Sequence, residues 1–137
     1  MEFKKVQIGA KINENVQKVW DHYTEPRHVM QWNHASEDWH CPSAENDLRE
    51  GGRFRYTMAS RDGKVSFDFE GKYEKIEPFN RIVYILDDGR TVDVHFESQK
   101  EGTDVNIEFD AEGENSIDMQ RQGWQAILNN FKKYVEA

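Results

Sequence analysis

Five histidines and one cysteine are the side chains of this sequence best suited to metal binding or nucleophilic chemistry. Three of these six lie close together, at His34, His40 and Cys41, with His22 and His28 upstream. A zinc ion takes three or four nitrogen or sulfur ligands at workable spacing. The sequence has no CxxC pair and no HExxH helix, and the adjacent His40 and Cys41 are poorly placed to ligate one ion together. We therefore predict neither a metal nor another cofactor.

Nucleophilic catalysis has equally little support in the sequence. Cys41 beside His40 could form an activated thiol, but a lone cysteine is more often a small buried apolar side chain. The sequence contains no GxSxG nucleophile motif. Gly51 and Gly52 lack the Lys and Ser or Thr of a phosphate-binding loop, so we expect them to permit a tight turn into a strand. We predict no catalytic residue, and an enzyme remains an alternative that would require a polar group inside a pocket.

Two carboxylates and one histidine lie in strand-like segments. Asp68 and Glu70 alternate with phenylalanines, and His95 is adjacent to Phe96. Because successive side chains of a strand point to opposite faces, we expect these polar groups to face water while the phenylalanines face inward. A β-bulge would reverse the alternation and turn Asp68 or His95 inward.

The overall charge limits the classes of partner. Asp and Glu outnumber Lys and Arg by 26 to 18, which gives a formal net charge of −8. Nucleic-acid binding requires a basic surface that displaces counterions, and an anionic membrane repels an acidic chain. We therefore expect neither a nucleic acid nor a membrane as partner.

The length of 137 residues predicts one domain over residues 1–137 with a sizeable core. No apolar run approaches the roughly 20 residues that cross a bilayer. The first residues, MEFKKVQIGAKI, lack the apolar centre of a signal peptide. A single cysteine forms no internal disulfide, which fits a reducing compartment. We expect a cytoplasmic protein.

The first half of the chain predicts a strand, two short helices and a loop. Residues 3–12 alternate between apolar and polar side chains, as a half-buried strand does. We predict that Asn13 caps a short helix, that Pro26 ends or resets it, and that a second short helix covers 27–32. Residues 32–50 show no sustained periodicity. We interpret them as a loop, with short strands near Trp39 and Asp47.

The second half predicts a meander followed by a long helix. Turn signals at 62–63, 77–80, 88–89 and 101–102 separate short segments of alternating apolar and polar residues. These segments predict five or six antiparallel strands with one face open to water.

The last segment, 116–136, has helical periodicity, and Asn115 or Ser116 can cap its start. Its predicted apolar face carries Trp124, Ile127, Leu128, Phe131, Tyr134 and Val135. Its predicted polar face carries Gln120, Arg121, Gln125, Asn129, Lys132 and Lys133. Gly123, which lacks a side chain, would let another backbone or a ligand approach.

The order of elements and five local motifs resemble the helix-grip, START-like (SRPBCC) superfamily, and within it the family named for the activator of heat-shock protein 90 ATPase homologues. The motifs are WNHASEDWHCP at 32–42, GGRFRYTM at 51–58, FDFEGKYEKIEP at 67–78, DDGR at 87–90 and QGWQAILNNFKKYVE at 122–136. The resemblance implies an α+β fold in which a curled seven-stranded antiparallel sheet wraps around the C-terminal helix. It also implies a cavity between the sheet and that helix, closed by the short helices and loops.

Under this arrangement, inward-facing aromatic and apolar side chains would line the cavity. The predicted lining consists of Trp32, Trp39, Phe54, Tyr56, Phe67, Phe69, Tyr84, Phe96, Trp124, Leu128 and Phe131. The functional interpretation is a non-catalytic module that binds a small hydrophobic or aromatic ligand, with Tyr56 or Tyr84 supplying an orienting hydroxyl. The alternative is that these residues simply fill a close-packed core.

The resemblance implies two further alternatives. One is a chaperone-associated regulator, similar to the activator of the heat-shock protein 90 ATPase, which would use the acidic outer surface. The other is an enzyme of the cyclase or hydrolase type, as in related branches of the superfamily, which would use the same pocket. The partners left open are therefore a small apolar ligand and a chaperone, and the chain is expected to be a monomer or a homodimer.

Overall fold

The computed structural model describes residues 3–137, which form seven strands and three helices. The elements are β1 (Lys5–Ile12), α1 (Val16–Thr24), α2 (Pro26–Trp32), β2 (Trp39–Asn46), β3 (Arg53–Ser60), β4 (Ser66–Glu77), β5 (Arg81–Leu86), β6 (Thr91–Gln99), β7 (Gly102–Asp110) and α3 (Ile117–Glu136). The strands make one antiparallel sheet in the order β1-β7-β6-β5-β4-β3-β2. The predicted α+β helix-grip fold is confirmed.

The two faces of the sheet differ as the alternation predicts. In β5, the residues Ile82, Tyr84 and Leu86 are buried while those between them are only half-buried. The water-facing side carries ion pairs, including Arg55 Nε with Glu70 Oε2 at 3.5 Å. Asp68 is exposed on the same strand, and His95, with 51% of its side chain exposed, contacts Asp93 at 3.0 Å.

Asn15, not the predicted Asn13, caps the first short helix. Its side chain accepts a hydrogen bond from the Lys18 backbone N–H at 2.9 Å. The Asn13 N–H instead donates to Glu136 Oε2 at 2.8 Å, which fastens the end of β1 to the end of α3. Pro26 occupies the first turn of α2, where its missing N–H costs nothing.

Within 32–50, the predicted short strand near Trp39 is confirmed, but it is longer than expected and extends to Asn46, where a loop was predicted. Strand β2 pairs with β3 over its length, and the register shifts between His40 and Ser43. No separate strand forms at Asp47 within the described chain. The irregularity explains the error, because a bulge interrupts the alternation from which a strand is predicted. Pro42 lies within this irregular segment of an edge strand, where a missing N–H is tolerated.

Helix α3 begins after Ser116, whose side chain accepts a hydrogen bond from the Met119 N–H at 3.1 Å. Leu128, Phe131 and Val135 are buried in the hydrophobic core. Gln120 was predicted on the polar face but is buried, because its amide is hydrogen-bonded to the preceding loop. Its Nε2 donates to the Asn115 carbonyl at 2.8 Å and its Oε1 accepts from the Glu112 N–H at 2.9 Å.

Within the described chain, no other backbone approaches closely at Gly123. A Cβ placed there would have no atom within 4 Å apart from the adjoining backbone of α3 itself. No helix among residues 3–137 combines the length and the apolar character needed to span a bilayer.

Candidate ligand cavity

A cavity of about 340 Å³ lies between the inner face of the sheet and α3. Its wall is mainly aromatic and aliphatic, with a few polar groups. The lining residues are Tyr23, Thr24, Trp32, Asn33, Phe54, Tyr56, Met58, Phe67, Phe69, Tyr73, Ile82, Tyr84, Arg90, Ile107, Glu112, Trp124, Ile127 and Leu128. Strands β3 and β4 contribute three residues each, and α3 contributes three from the opposite side.

Eight of the residues predicted from the sequence lie on this wall. They are Trp32, Phe54, Tyr56, Phe67, Phe69, Tyr84, Trp124 and Leu128. Trp39, Phe96 and Phe131 lie elsewhere. The ring of Phe96 packs between the aromatic rings of α1, 5.1 Å from Trp20 by centroids. Alternation shows which face of a strand a residue occupies, but it does not show whether that part of the strand borders the cavity. The sequence pattern therefore does not distinguish Phe96 from the residues of the cavity wall.

Phe131 and Trp39 miss the wall for different reasons. Phe131 is fully buried in the packing between helices, with its ring 4.9 Å from Trp32 and 5.2 Å from Tyr23. Trp39 is half-buried at the start of β2, and its ring lies 6.0 Å from that of Phe67.

The sequence prediction included the hydroxyls of Tyr56 and Tyr84 but missed the other polar residues of the wall. Tyr23 and Tyr73 contribute hydroxyl-bearing rings, while Thr24, Asn33 and the two charged residues come from helix ends and loops. Tyr73 follows Phe69 on the same face of β4, and that alternation could have identified it. Tyr23 belongs to the apolar spacing of α1, which indicates burial but not a cavity.

Phe54 lies at the centre of the aromatic wall. Its ring centroid is 4.8 Å from that of Tyr84, 5.0 Å from Tyr56 and 5.3 Å from Tyr73. Phe69 follows at 5.9 Å. Aromatic rings at such distances and in tilted arrangements attract one another beyond the effect of burial. The wall is therefore held by contacts within the protein.

A hydrogen-bonded chain connects the wall to β2 and α1. The Tyr73 hydroxyl donates to Asn46 Oδ1 at 2.7 Å, and Asn46 Nδ2 donates to the Thr24 carbonyl at 2.6 Å. That carbonyl lies at the end of α1, where the helix leaves backbone acceptors free. Asn46 thus fixes the position of both the Tyr73 ring and the end of the helix.

Four tyrosines around the cavity hold their protons strongly. Burial raises the pKa of Tyr73 to about 12. Burial, followed by the neighbouring tyrosine hydroxyls, also raises the pKa values of Tyr23, Tyr56 and Tyr84. Their hydroxyls are therefore neutral hydrogen-bond donors at physiological pH.

The two charged residues of the wall each interact with their own loop. Arg90 follows the turn at Gly89, whose φ of 95° lies in the left-handed region, and Arg90 Nε donates to Asp88 Oδ2 at 2.7 Å. Glu112 Oε1 accepts from the Asn115 N–H at 2.7 Å. One positive and one negative group thus contribute no net charge to the cavity wall.

The histidine and cysteine cluster lies outside the cavity wall. Cys41 is 2% exposed, its Sγ lies 3.4 Å from the Ser43 carbonyl, and burial raises the pKa of its thiol. His22 and His28 stack with their ring centroids 3.9 Å apart, and His28 Nδ1 lies 2.6 Å from the Tyr134 hydroxyl. Over residues 3–137, no three His, Cys, Asp or Glu side chains are grouped as a metal ion requires.

The family model described as Activator of Hsp90 ATPase homolog 1-like protein matches residues 13–136. The chain belongs to this family. The resemblance inferred from the motifs is therefore confirmed. None of the curated proteins matches the chain.

Solved structures agree with this family assignment. The solution structure of the AHSA1-like protein from Aeromonas hydrophila is 44% identical, with 97% of this chain and 92% of that chain covered and a TM-score of 0.92. A protein of Cytophaga hutchinsonii is 42% identical over 96% of this chain and 92% of that chain, with a TM-score of 0.84. A Chromobacterium violaceum protein, 20% identical, shares the fold over 98% of this chain and 99% of that chain with a TM-score of 0.87.

The motifs that resemble the AHSA1-like family supply much of the cavity wall in this chain. The 51–58 motif carries Phe54, Tyr56 and Met58, and the 67–78 motif carries Phe67, Phe69 and Tyr73. The 122–136 motif carries Trp124, Ile127 and Leu128. The segments with family-like sequence are thus also the ones that surround the cavity.

Proposed function

We propose that this protein binds a small hydrophobic or aromatic molecule in the cavity between the sheet and α3, without transforming it chemically. The observation that carries the proposal is the cavity itself, about 340 Å³ bounded mainly by aromatic and aliphatic side chains. Ligand pockets in proteins typically enclose roughly 300–1,000 Å³ and combine an apolar wall with a few polar groups. The cavity lies at the lower end of that range, which suits a compact molecule rather than a long lipid.

The packing of the wall supports the same proposal. The rings around Phe54 contact one another, and Asn46 fixes Tyr73 from outside. A wall that is already ordered loses little conformational entropy on binding. A compact apolar ligand would therefore gain most of the free energy released by removing its surface from water.

The direct test is binding of small probes by the purified protein. Native mass spectrometry detects any ligand retained from the host, and a thermal-shift series with short fatty acids and bicyclic aromatics detects stabilisation. A bound ligand raises the midpoint of unfolding in proportion to the logarithm of its concentration above the dissociation constant. We expect bicyclic aromatics to raise it.

A matched pair of variants localises the binding. Ile127→Trp adds bulk on the cavity side of α3, whereas Met119→Trp adds the same bulk on the exposed side, where Met119 is 62% exposed. We expect Ile127→Trp to lose the thermal shift and Met119→Trp to keep it. Equal shifts in both variants, or no shift with any probe in the unaltered protein, would contradict the proposal.

A chaperone-associated role is a second candidate, which the family description favours because it names an activator of the Hsp90 ATPase. The net charge of −8 provides an acidic surface for such a contact. The test is stimulation of the ATPase of the host's own Hsp90 by the purified protein. The Met119→Trp and Ile127→Trp variants distinguish a surface contact from an effect of the cavity. Absence of stimulation would eliminate this candidate.

The enzymatic alternative lacks the groups that would favour it. His34, His40, Asp68 and His95 are absent from the cavity wall of the described chain. The polar groups that do line it are mainly neutral hydroxyl and amide groups, together with the opposite charges of Arg90 and Glu112. This composition supports ligand binding more directly than acid–base catalysis.

A further inference from the structure

We propose that the ligand of this cavity is an uncharged molecule with a hydrogen-bond acceptor, such as a ketone, ester or amide oxygen, and that the hydroxyls of Tyr23 and Tyr84 donate to that acceptor. This inference rests on the proposed function and specifies the chemical class of its ligand.

The first argument concerns the partners of the tyrosine hydroxyls. Tyr73 donates to Asn46 at 2.7 Å, and the Tyr134 hydroxyl lies 2.6 Å from His28 Nδ1. Tyr56 also lines the cavity, and its hydroxyl is hydrogen-bonded to that of Tyr73. Tyr23 and Tyr84 line the cavity without a protein acceptor among residues 3–137, and their hydroxyls are not among the fully enclosed atoms that lack a partner. Buried polar groups in proteins are nearly always hydrogen-bonded. Two hydroxyls that face an apolar cavity without a protein acceptor indicate that the ligand supplies one.

The second argument concerns the charge of the acceptor. Burial holds the pKa values of Tyr23 and Tyr84 well above the ordinary phenol value, which shows that this part of the interior disfavours negative charge. Arg90 on this wall acts in the opposite direction on the pKa of Tyr84, but it already contacts Asp88 at 2.7 Å. Glu112 adds a carboxylate to the same wall. A ligand carboxylate would therefore remain poorly compensated, whereas a neutral carbonyl oxygen would not.

The third argument concerns geometry. Tyr23 comes from α1 and Tyr84 from the centre of β5, so the two hydroxyls approach the cavity from different elements. Tyr23 is fixed by edge-to-face contacts with Phe96 and Phe131 at 5.5 and 5.2 Å, and Tyr84 by contact with Phe54 at 4.8 Å. Donors held by packing orient an acceptor without further loss of freedom. The apolar remainder of the ligand would then extend along Phe69 and Trp124, which contact each other at 6.0 Å.

The test uses three probes of closely similar size: 2-acetylnaphthalene, 2-ethylnaphthalene and 2-naphthoate. Isothermal titration measures each against the unaltered protein. We expect the ketone to bind about tenfold more tightly than the hydrocarbon, since each added hydrogen bond is worth a few-fold to tenfold in affinity. We expect the carboxylate to bind most weakly.

Matched variants assign the effect to the hydroxyls. Tyr23→Phe and Tyr84→Phe remove one hydroxyl each and keep the rings, and we expect each to lower ketone affinity about threefold or more while hydrocarbon affinity changes less than twofold. Tyr134→Phe removes a hydroxyl outside the cavity and should change neither. Circular dichroism verifies that all three variants fold.

The possible outcomes distinguish a failure of this inference from a failure of the proposed function. If the ketone and the hydrocarbon bind equally, or the carboxylate binds most tightly, the acceptor inference is overturned while ligand binding stands. If ketone affinity is unchanged in both cavity variants, the assignment to Tyr23 and Tyr84 is overturned. If none of the three probes binds and the thermal shifts are also absent, the proposed function itself fails.

Discussion

The indole of Trp124 lies flat on the ring of Phe109, with their centroids 4.0 Å apart and their planes inclined by 7°. This contact joins α3 to β7 at the point where the helix crosses the sheet. The ring of Phe69 on β4 approaches the same indole at 6.0 Å and nearly at a right angle. Trp124 therefore has two structural roles, since it packs the helix onto the sheet and forms part of the cavity wall.

Replacing Trp124 by Ala should destabilise the protein and enlarge the cavity. Truncation of a large aromatic side chain in a core costs about 3–5 kcal/mol, and because Trp124 is only half-buried we expect a loss of about 3 kcal/mol in the free energy of unfolding. Trp124→Phe, which keeps a ring over Phe109, should cost less than half as much. Urea unfolding measures both. A loss below about 1 kcal/mol for the Ala variant would show that the stacking contributes little.

Replacing Asn46 by Ala should destabilise the protein more than its small size suggests. The change leaves both the Tyr73 hydroxyl and the Thr24 carbonyl without their partner. An unsatisfied buried polar group costs about 1–3 kcal/mol. Because both hydrogen bonds are only partly buried, we expect the combined loss in urea unfolding to be about 2 kcal/mol.

A double-mutant cycle with Tyr73→Phe checks this interpretation. If the two side chains act through their hydrogen bond, the loss in the double variant is smaller than the sum of the single losses by about 0.5–1.5 kcal/mol. Strict additivity would contradict the network.

Two glycine substitutions should change the free energy of unfolding in opposite directions. Gly123 lies inside α3 with open space around its missing Cβ, so Gly123→Ala should stabilise the protein by about 0.5–1 kcal/mol through helix propensity. At Gly71, a Cβ would come within 2.6 Å of the Ile85 carbonyl oxygen, a backbone atom of the neighbouring strand. Gly71→Ala should therefore destabilise the protein. Thermal unfolding of the two variants under one condition provides the comparison, and a stabilised Gly71→Ala protein would be inconsistent with the packing.

The elements that follow a regular period were predictable from sequence. The meander from β3 to β7 alternates apart from one register shift between Tyr73 and Lys75 and is punctuated by turn signals, and α3 repeats its apolar residues at helical spacing. The extent of strand β2 was not predictable beyond the short strand expected near Trp39, because its register shift between His40 and Ser43 breaks the alternation. Gln120 was misassigned because helical spacing does not reveal that a preceding loop will occupy its amide.

The candidate site shows a similar limit. The face on which Phe54, Tyr56 and Tyr84 lie follows from alternation, so sequence patterns could select them. An inward-facing residue lines the cavity or packs against another side chain depending on the curvature of the sheet. Alternation in the sequence does not predict that curvature. Phe96 and Phe131 point inward but are covered by the rings of α1 and α2. Arg90 and Glu112 reach the wall from turns, where no period exists.

The stacked histidines at the junction of α1, α2 and α3 should make stability depend on pH. Burial, then the His22 ring, then Arg27 lower the pKa of His28 below its ordinary value, while Glu25 and Asp21 act in the opposite direction. The unfolded chain then binds more protons than the folded one between the lowered pKa and roughly 6.5, the ordinary histidine value. The contribution of His28 is therefore present in full above that value and is lost as the pH falls through the folded pKa.

Urea midpoints at intervals from pH 8 to 5.5 measure this dependence, since most carboxylates titrate below that window. We expect the midpoint of the unaltered protein to fall with pH, and that of His28→Gln to fall less. In the unaltered protein, His28 Nδ1 lies 2.6 Å from the Tyr134 hydroxyl. Glutamine keeps a polar side chain that can hydrogen-bond to the same hydroxyl. His95→Gln, at a histidine with 51% of its side chain exposed, is the matched control and should leave the slope of the unaltered protein nearly unchanged. If His28→Gln keeps the full slope while His95→Gln flattens it, the pH dependence does not arise at the helix junction.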